Sequence, residues 1–123
     1  MRSTTGDAKG RFAEWRAEML LRCKGYRILA RRFRSGQGEV DLIAERGRAL
    51  CFVEVKFRAT EDAAAESVNA KQRRRILNAA NAYLARNPLA AERDCRFDLI
   101  LVTSALLPRH VLNAWSSSDD NRR

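Results

Sequence analysis

Residues 38–58, GEVDLIAERGRALCFVEVKFR, place three acids and a lysine inside what otherwise reads as two β-strands. Two apolar stretches flank a glycine-containing turn, a pattern that predicts an antiparallel hairpin. Glu39, Asp41, Glu54 and Lys56 occupy positions within these stretches where strands usually carry apolar side chains. Any fold of this chain must give these charges solvent or partners, because burying an unpaired charge strongly opposes folding.

The turn of the hairpin decides which of these charged groups meet. Side chains alternate across a strand, so all four charges are expected on one side of the hairpin. A two-residue turn at residues 46–47 would set Glu39 opposite Glu54 and Asp41 opposite Phe52. A slip of one residue would separate the acids, so the grouping depends on that turn.

Grouped acids repel one another, and a divalent cation would remove that conflict. Mg²⁺ prefers oxygen ligands, typically one or two carboxylates with waters and phosphate oxygens. Asp41 and Glu54 would then hold Mg²⁺ or Mn²⁺, with the Val55 carbonyl as a further ligand. Lys56 would orient or help deprotonate the attacking water. Metal-activated hydrolysis of a phosphodiester is the reaction that uses these groups.

A second interpretation of the hairpin needs no metal. The four charges could line the solvent side of a two-faced antiparallel sheet, paired as surface salt bridges. Strand alternation alone permits this, because a separate apolar face is offered by Val40, Leu42, Ala44, Cys51, Val53, Val55 and Phe57. Phe52 flanks the charges on their own side and favours a covered site instead.

The charge balance indicates a polyanionic partner. The chain of 123 residues carries 24 Lys and Arg against 15 Asp and Glu, a net charge of +9. Most of this excess falls in the half that contains the hairpin, and the guanidinium group suits phosphate because it donates two parallel hydrogen bonds. A generally basic surface is the alternative explanation.

Apolar periodicity and turn residues predict a single α/β domain over residues 11–115, with a flexible leader at 1–10 and a frayed tail at 116–123. No apolar run is long enough to span a bilayer, and we expect a cytoplasmic protein with three buried, reduced cysteines. His110 is expected at the surface, and Asp98 is expected to pair with an arginine such as Arg96. The predicted order is α-β-β-β-α-β with a possible last strand: a helix at 11–24, a strand at 26–34, the hairpin, a helical stripe within 60–87, a central strand at 95–103 and an edge strand at 110–115.

The sequence resembles a known family. GEVDLIA followed by FVEVKFR is similar to the paired signature of the bacterial YraN-type family of uncharacterised proteins. Residues 13–34 resemble the opening helix and strand of that family, and residues 71–84, 95–102 and 111–115 resemble its later segments. The resemblance covers residues 10–115 in order.

That family is placed within the PD-(D/E)xK nuclease superfamily, which includes restriction endonucleases and Holliday-junction resolvases. The resemblance implies a restriction endonuclease-like αβββαβ core with a mixed sheet flanked by helices. It assigns Asp41, Glu54 and Lys56 to the catalytic triad, although Val40 stands where the superfamily signature has proline. It also implies that Glu14 completes the metal site and that Gln72 lies near it.

Two functions remain open from the sequence. The first is a metal-dependent endonuclease acting on nucleic acid, with branched or damaged DNA as the expected substrate and a homodimer as a possible assembly. The alternative is a non-catalytic nucleic-acid-binding accessory protein of the same fold. Glu39 and Arg58 are possible accessory residues of the site, and the basic residues expected to contact the backbone are Arg31, Arg32, Arg34, Lys71, Arg73 and Arg74.

Overall fold

A computed structural model describes residues 4–58, 68–104 and 107–115. Within these ranges the order of elements confirms the predicted αβββαβ core followed by a last strand. No helix among the described residues is long and apolar enough to cross a membrane. The helices and strands are α1 (Thr4–Cys23), β1 (Arg27–Ser35), β2 (Gly38–Arg46), β3 (Ala49–Phe57), α2 (Ala70–Arg86), β4 (Asp94–Val102) and β5 (Arg109–Trp115).

The strands form one mixed sheet in the order β1-β2-β3-β4-β5. β3 and β4 are parallel, whereas the other neighbours are antiparallel. α1 packs on one face through Ala13, Ala17 and Leu21, and α2 packs on the other through Ile76 and Ala79. Because both faces are covered, β3 and β4 read as continuous apolar runs, as central strands do.

The hairpin turn lies one residue later than predicted. Arg46 pairs with Ala49, so Gly47 is the first of the two turn residues, with a φ of 58°. Two-residue hairpin turns demand a positive φ at that first position, which glycine adopts without strain. The expected pairs of Asp41 with Phe52 and of Glu39 with Glu54 are therefore wrong. Moving the two-residue turn by one position shifts each cross-strand pair by two residues, not one. Side chains on the paired residues therefore keep their faces, and the predicted grouping of Asp41 with Glu54 survives.

Both helices have boundaries that differ from the predicted ones. α1 begins at Thr4 rather than at residue 11, because adding residues to an established helix is easier than nucleating one. α2 begins only after Asn69, whose side chain accepts a hydrogen bond from the backbone N–H of Gln72. The Gln72 side chain accepts one from the Asn69 N–H in return, which completes a capping box. Val68 therefore precedes the helix, and residues 59–67 lie outside the described part of the chain.

The cysteine prediction is partly wrong. Cys51 is buried, but Cys23 and Cys95 are exposed, and all three are free thiols. Cys23 is the last residue of α1 and lies away from the face that carries Leu21, while Cys95 lies near the exposed start of β4.

Candidate functional site

β2 and β3 separate from each other at the candidate site. Their ladder ends at the pair of Leu42 and Val53; beyond it β2 continues alongside β1, and β3 continues alongside β4. Asp41 and Glu54 are the first residues past this fork. The backbone N–H of Val55, freed from β2, donates a hydrogen bond to Oδ2 of Asp41 at 2.8 Å.

The three side chains expected to be catalytic meet at this fork. The Asp41 carboxyl lies close enough to Glu54 for the charge of Glu54 to raise the pKa of Asp41. Nζ of Lys56 lies 3.2 Å from Oε2 of Glu54, and Lys56 is only 8% exposed. A charged ammonium this deeply buried needs a charged partner, which Glu54 supplies. The surface salt-bridge interpretation is therefore wrong for this pair.

Clefts open on both sides of the fork. The cleft beside α1 has a volume of about 400 Å³, and its walls include Glu14 and Arg58 together with Asp41, Glu54 and Lys56. A smaller pocket of about 100 Å³ on the α2 side is lined by Glu39, Asp41, Glu54, Gln72, Arg75 and Ile76. The residues expected to be accessory thus surround the acid pair.

Glu14 lies on the wall of the first cleft, and its carboxylate is paired with Arg32. Nε of Arg32 donates to Oε1 of Glu14 at 2.8 Å. The backbone of Arg32 adopts a φ of 51°, which non-glycine residues rarely do. Burial raises the pKa of Glu14; the bond from Arg32 opposes this, and the charge of Asp41 adds to it. Among the described residues no group of three His, Cys, Asp or Glu side chains is placed to hold a metal ion, so the role of Glu14 as a ligand stays a prediction.

Comparison with known proteins identifies the family. The profile of the uncharacterised protein family UPF0102 matches residues 13–102. The chain belongs to UPF0102. This membership confirms the family expected from the sequence, and the names of the relatives assign no activity.

The related UPF0102 proteins align over most of their length. A UPF0102 protein of Methylorubrum extorquens is 51% identical over 114 residues, which cover 93% of this chain and 88% of the relative. One from Bradyrhizobium sp. ORS 278 is 51% identical, covering 89% of this chain and 77% of the relative. One from Paramagnetospirillum magneticum is also 51% identical, covering 87% and 86%.

Asp41 has an unusual pKa in this UPF0102 chain. Its pKa is raised to about 8, first by burial and next by the neighbouring charge of Glu54. The Val55 N–H and the charge of Lys56 act in the opposite direction. In the absence of another cation Asp41 therefore retains its proton near neutral pH, because its burial and the charge of Glu54 oppose its ionisation.

The basic residues predicted to contact nucleic acid are distributed over several surfaces. Arg31 donates to Glu18 at 2.7 Å, Arg32 binds Glu14, and Arg73 donates to the backbone of α2's entry segment. Three others line one groove, about 770 Å³ in volume, between the β1–β2 turn and α2: Arg34, Lys71 and Arg74.

Arg75 also lines this groove. Lys71, Arg74, Arg75 and Asn78 all line the groove and follow the i, i+3, i+4, i+7 spacing of one helix face. That spacing was the signal that could have separated Arg75 from Arg73, which lies on another face.

A second polar cluster lies under β4 and β5, away from the fork. Asp98 is fully buried and binds Arg96, as predicted, through two bonds of 2.9 Å. The expectation of a surface His110 is wrong: its side chain is 3% exposed, with Nε2 2.7 Å from Asp98 Oδ2. Nδ1 of His110 lies 2.6 Å from Nζ of Lys24. The β4–β5 pairing is irregular between Phe97 and Leu99, and there the backbone N–H of Asn113 donates to Oδ1 of Asp98 at 2.9 Å.

Proposed function

We propose that this chain is a metal-dependent, endonuclease-like protein that hydrolyses phosphodiester bonds in nucleic acid, with DNA as the expected substrate. One observation carries the proposal: Asp41 and Glu54 lie together at the fork between β2 and β3 and line one cleft with Lys56, whose Nζ is 3.2 Å from Glu54. A carboxyl group that lines a cleft and has a strongly raised pKa, as Asp41 does, is typical of catalytic sites.

The donor set suits Mg²⁺ or Mn²⁺. Asp41 and Glu54 offer two carboxylates, and a cation bound between them would offset the repulsion that raises the pKa of Asp41. The N–H and C=O of a strand residue project toward the same neighbour, so the Val55 carbonyl also faces the fork. Two carboxylates, a carbonyl and waters are the ligands that Mg²⁺ takes in phosphate-processing sites. A metal bound there would lower the pKa of a coordinated water and polarise the phosphate.

The chain's own groups support the same reaction. Lys56 holds Glu54 in orientation through their 3.2 Å contact and supplies a positive charge toward the cleft. An ammonium at this place can orient the attacking water and donate a hydrogen bond to a phosphate oxygen as negative charge develops there. The N–H of Val55 fixes the rotamer of Asp41, so both acids are preorganised before substrate binds.

The direct test is cleavage of a panel of linear, nicked, flap and four-way-junction DNAs with Mg²⁺ or Mn²⁺. We expect the wild-type chain to cut at least one member of the panel. Asp41→Asn and Lys56→Met should each lower the rate by about 100-fold or more, since each removes a group that acts on the reacting atoms. Asp94→Asn is the matched control because it removes the same charge from a side chain that is 73% exposed. Undiminished cleavage by Asp41→Asn would rule out this site.

A second candidate function is a nucleic-acid-binding accessory protein of the same fold that cuts nothing. The basic groove beside α2 favours it, because binding there needs neither Asp41 nor Glu54. In that case DNA binding is salt-dependent and survives Lys56→Met, and no metal produces cleavage of any member of the panel.

A further inference from the structure

The groove between the β1–β2 turn and α2 is strongly basic. Four cationic side chains line it, Arg34, Lys71, Arg74 and Arg75, against a single acid, Glu39. Its volume of about 770 Å³ is larger than that of either cleft at the fork. A groove with one sign of charge concentrates the opposite charge, which here means an anion.

The groove leads to the acid pair. Glu39 and Arg75 line both the groove and the small pocket that contains Asp41 and Glu54. A linear polyanion lying in the groove would therefore pass Glu39 and Arg75 and arrive at Asp41. This continuity makes the groove an approach to the candidate site rather than a separate patch.

The four cationic side chains differ in whether they form hydrogen bonds or salt bridges. Within the part of the chain that the structure describes, Lys71 and Arg74 have no hydrogen-bond or salt-bridge partner, and both are exposed. Arg75 and Arg34 are both bound to Glu39, at 2.6 Å to Oε1 and 3.3 Å to Oε2. One carboxylate thus offers a separate oxygen to each of two guanidinium groups.

We propose that this groove binds the sugar-phosphate backbone of nucleic acid, and that Glu39 occupies the position of one backbone phosphate in the free protein. The inference rests on the proposed function for the identity of the ligand. A phosphodiester has two non-bridging oxygens and can bridge Arg34 and Arg75 as the carboxylate does. Displacing Glu39 is easy, because exposed ion pairs contribute little to stability.

The walls of the groove are held at a fixed separation. Gly38, at the end of the β1–β2 turn, lies so close to α2 that a Cβ there would collide with the backbone N of Ala79 and lie 2.7 Å from its Cα. The β1–β2 hairpin, whose strand β1 carries Arg34, therefore packs directly against the helix that carries Arg74 and Arg75. This contact keeps the cations in place before any ligand arrives.

Neutralising Glu39 changes nucleic-acid binding in opposite directions for the two roles that Glu39 could have. As a metal ligand or catalytic acid, Glu39 would be needed for binding or turnover, and its neutralisation would weaken them. As an internal phosphate mimic, Glu39 competes with the backbone, and its neutralisation strengthens nucleic-acid binding. The sign of the Glu39→Gln effect therefore separates the two roles.

The test is fluorescence anisotropy with labelled 20-base-pair DNA and RNA duplexes of one sequence, in the presence of a chelator. All variants carry Asp41→Asn so that the probe is not consumed. Lys71→Ala and Arg74→Ala should each weaken binding by roughly 5-fold and reduce the salt slope by about 1, as expected for loss of one phosphate contact. Glu39→Gln should strengthen binding by roughly 3-fold or more, since it frees two guanidinium groups.

Two controls match these changes in charge. Arg48→Ala removes one positive charge from an exposed side chain at the β2–β3 turn, the opposite end of β2. Glu92→Gln adds the same unit of charge as Glu39→Gln at an exposed position outside the groove. We expect both to change the dissociation constant by less than about 2-fold. A preference for DNA or RNA identifies the sugar that the groove accepts, and equal binding identifies phosphate as the recognised group; both support the proposal.

Two outcomes would overturn the inference. One is wild-type affinity and salt slope in Lys71→Ala and Arg74→Ala; the other is a Glu39→Gln variant that binds no better than Glu92→Gln. If either occurs while the chain still cuts DNA with Mn²⁺, the groove assignment fails and the proposed function stands. If the groove variants behave as expected and no DNA is cut, the groove stands and the catalytic proposal fails.

Discussion

The backbone N–H of Val55 donates to Oδ2 of Asp41 at 2.8 Å, so a side chain of β2 takes the place of the backbone acceptor that β3 loses at the fork. Buried backbone donors need a partner, and this one is satisfied by a carboxylate. The hydrogen bond links the separation of the strands to the orientation of the acid. The same geometry therefore keeps the fold intact and presents Asp41 to Glu54.

Asp41→Asn should stabilise the metal-free protein at high pH. The Asp41 carboxyl has a usual pKa of 3.8 and a pKa of about 8 in the folded chain, first because of its burial and then because of Glu54. Between these values the folded state holds more protons than the unfolded state, so wild-type stability falls as pH rises. The excess melting temperature of Asp41→Asn should grow from pH 4 to 8 and then level off, as measured by thermal unfolding in a chelator. A constant difference between pH 5 and 8 would contradict this, and exposed Glu92→Gln serves as the control.

Asp98→Asn should destabilise the fold by about 3 kcal/mol at neutral pH, because it leaves the Arg96 guanidinium without its buried partner. Burial alone would raise the pKa of Asp98, but bonds from His110, Arg96 and the Asn113 N–H outweigh it and lower the pKa to about 2. This stabilisation is complete above pH 4 and is lost as pH falls toward 2. Urea unfolding at several pH values measures it.

The control for Asp98 lies on the same strand. Asp94 forms an exposed pair with Arg48 at 3.5 Å, with side chains 73% and 71% exposed. Asp94→Asn should change the free energy of unfolding by less than about 1 kcal/mol. If Asp98→Asn and Asp94→Asn lowered the free energy of unfolding equally, the buried cluster of Asp98, Arg96 and His110 would add nothing to stability.

Gly38→Ala should destabilise the protein by about 1–3 kcal/mol, because the added methyl group meets the backbone of Ala79 rather than a movable side chain. Gly10→Ala is the opposite case: its Cβ would have nothing within 4 Å, and alanine in a helix interior stabilises by about 0.5–1 kcal/mol. Chemical denaturation of both variants measures the contrast. A neutral Gly38→Ala would mean that the turn and α2 are not in direct contact.

Alkylation should distinguish the three thiols. The pKa of Cys51 is raised to about 12, first by burial and next by the charge of Asp98, so the reactive thiolate is scarce and inaccessible. Cys23 and Cys95 are exposed. Iodoacetamide at pH 8 should modify Cys23 and Cys95 in the native protein, and Cys51 only after unfolding, as read by mass spectrometry of peptides. Native labelling of Cys51 at the rate of the other two would contradict its burial.

Local sequence patterns were sufficient for the elements and for the core of the site. Period-two alternation placed Asp41, Glu54 and Lys56 on one side of the hairpin, and this survived the wrong turn because the pairing shift preserved the faces. The same alternation failed for Val40. It was expected on the face of Leu42 but packs with Ile43 in the core cluster against α2.

What the sequence by itself determined is the order of elements, the two apolar faces and the acids that share a side, because these follow from periodicities of neighbouring residues. Only the tertiary structure decided the fork at Asp41, the pairing of Glu39 with Arg34 and Arg75, and the burial of His110 against Asp98. Each of these joins separate elements of the fold. Their distances depend on how two helices pack against a twisted sheet, and no local pattern encodes that packing.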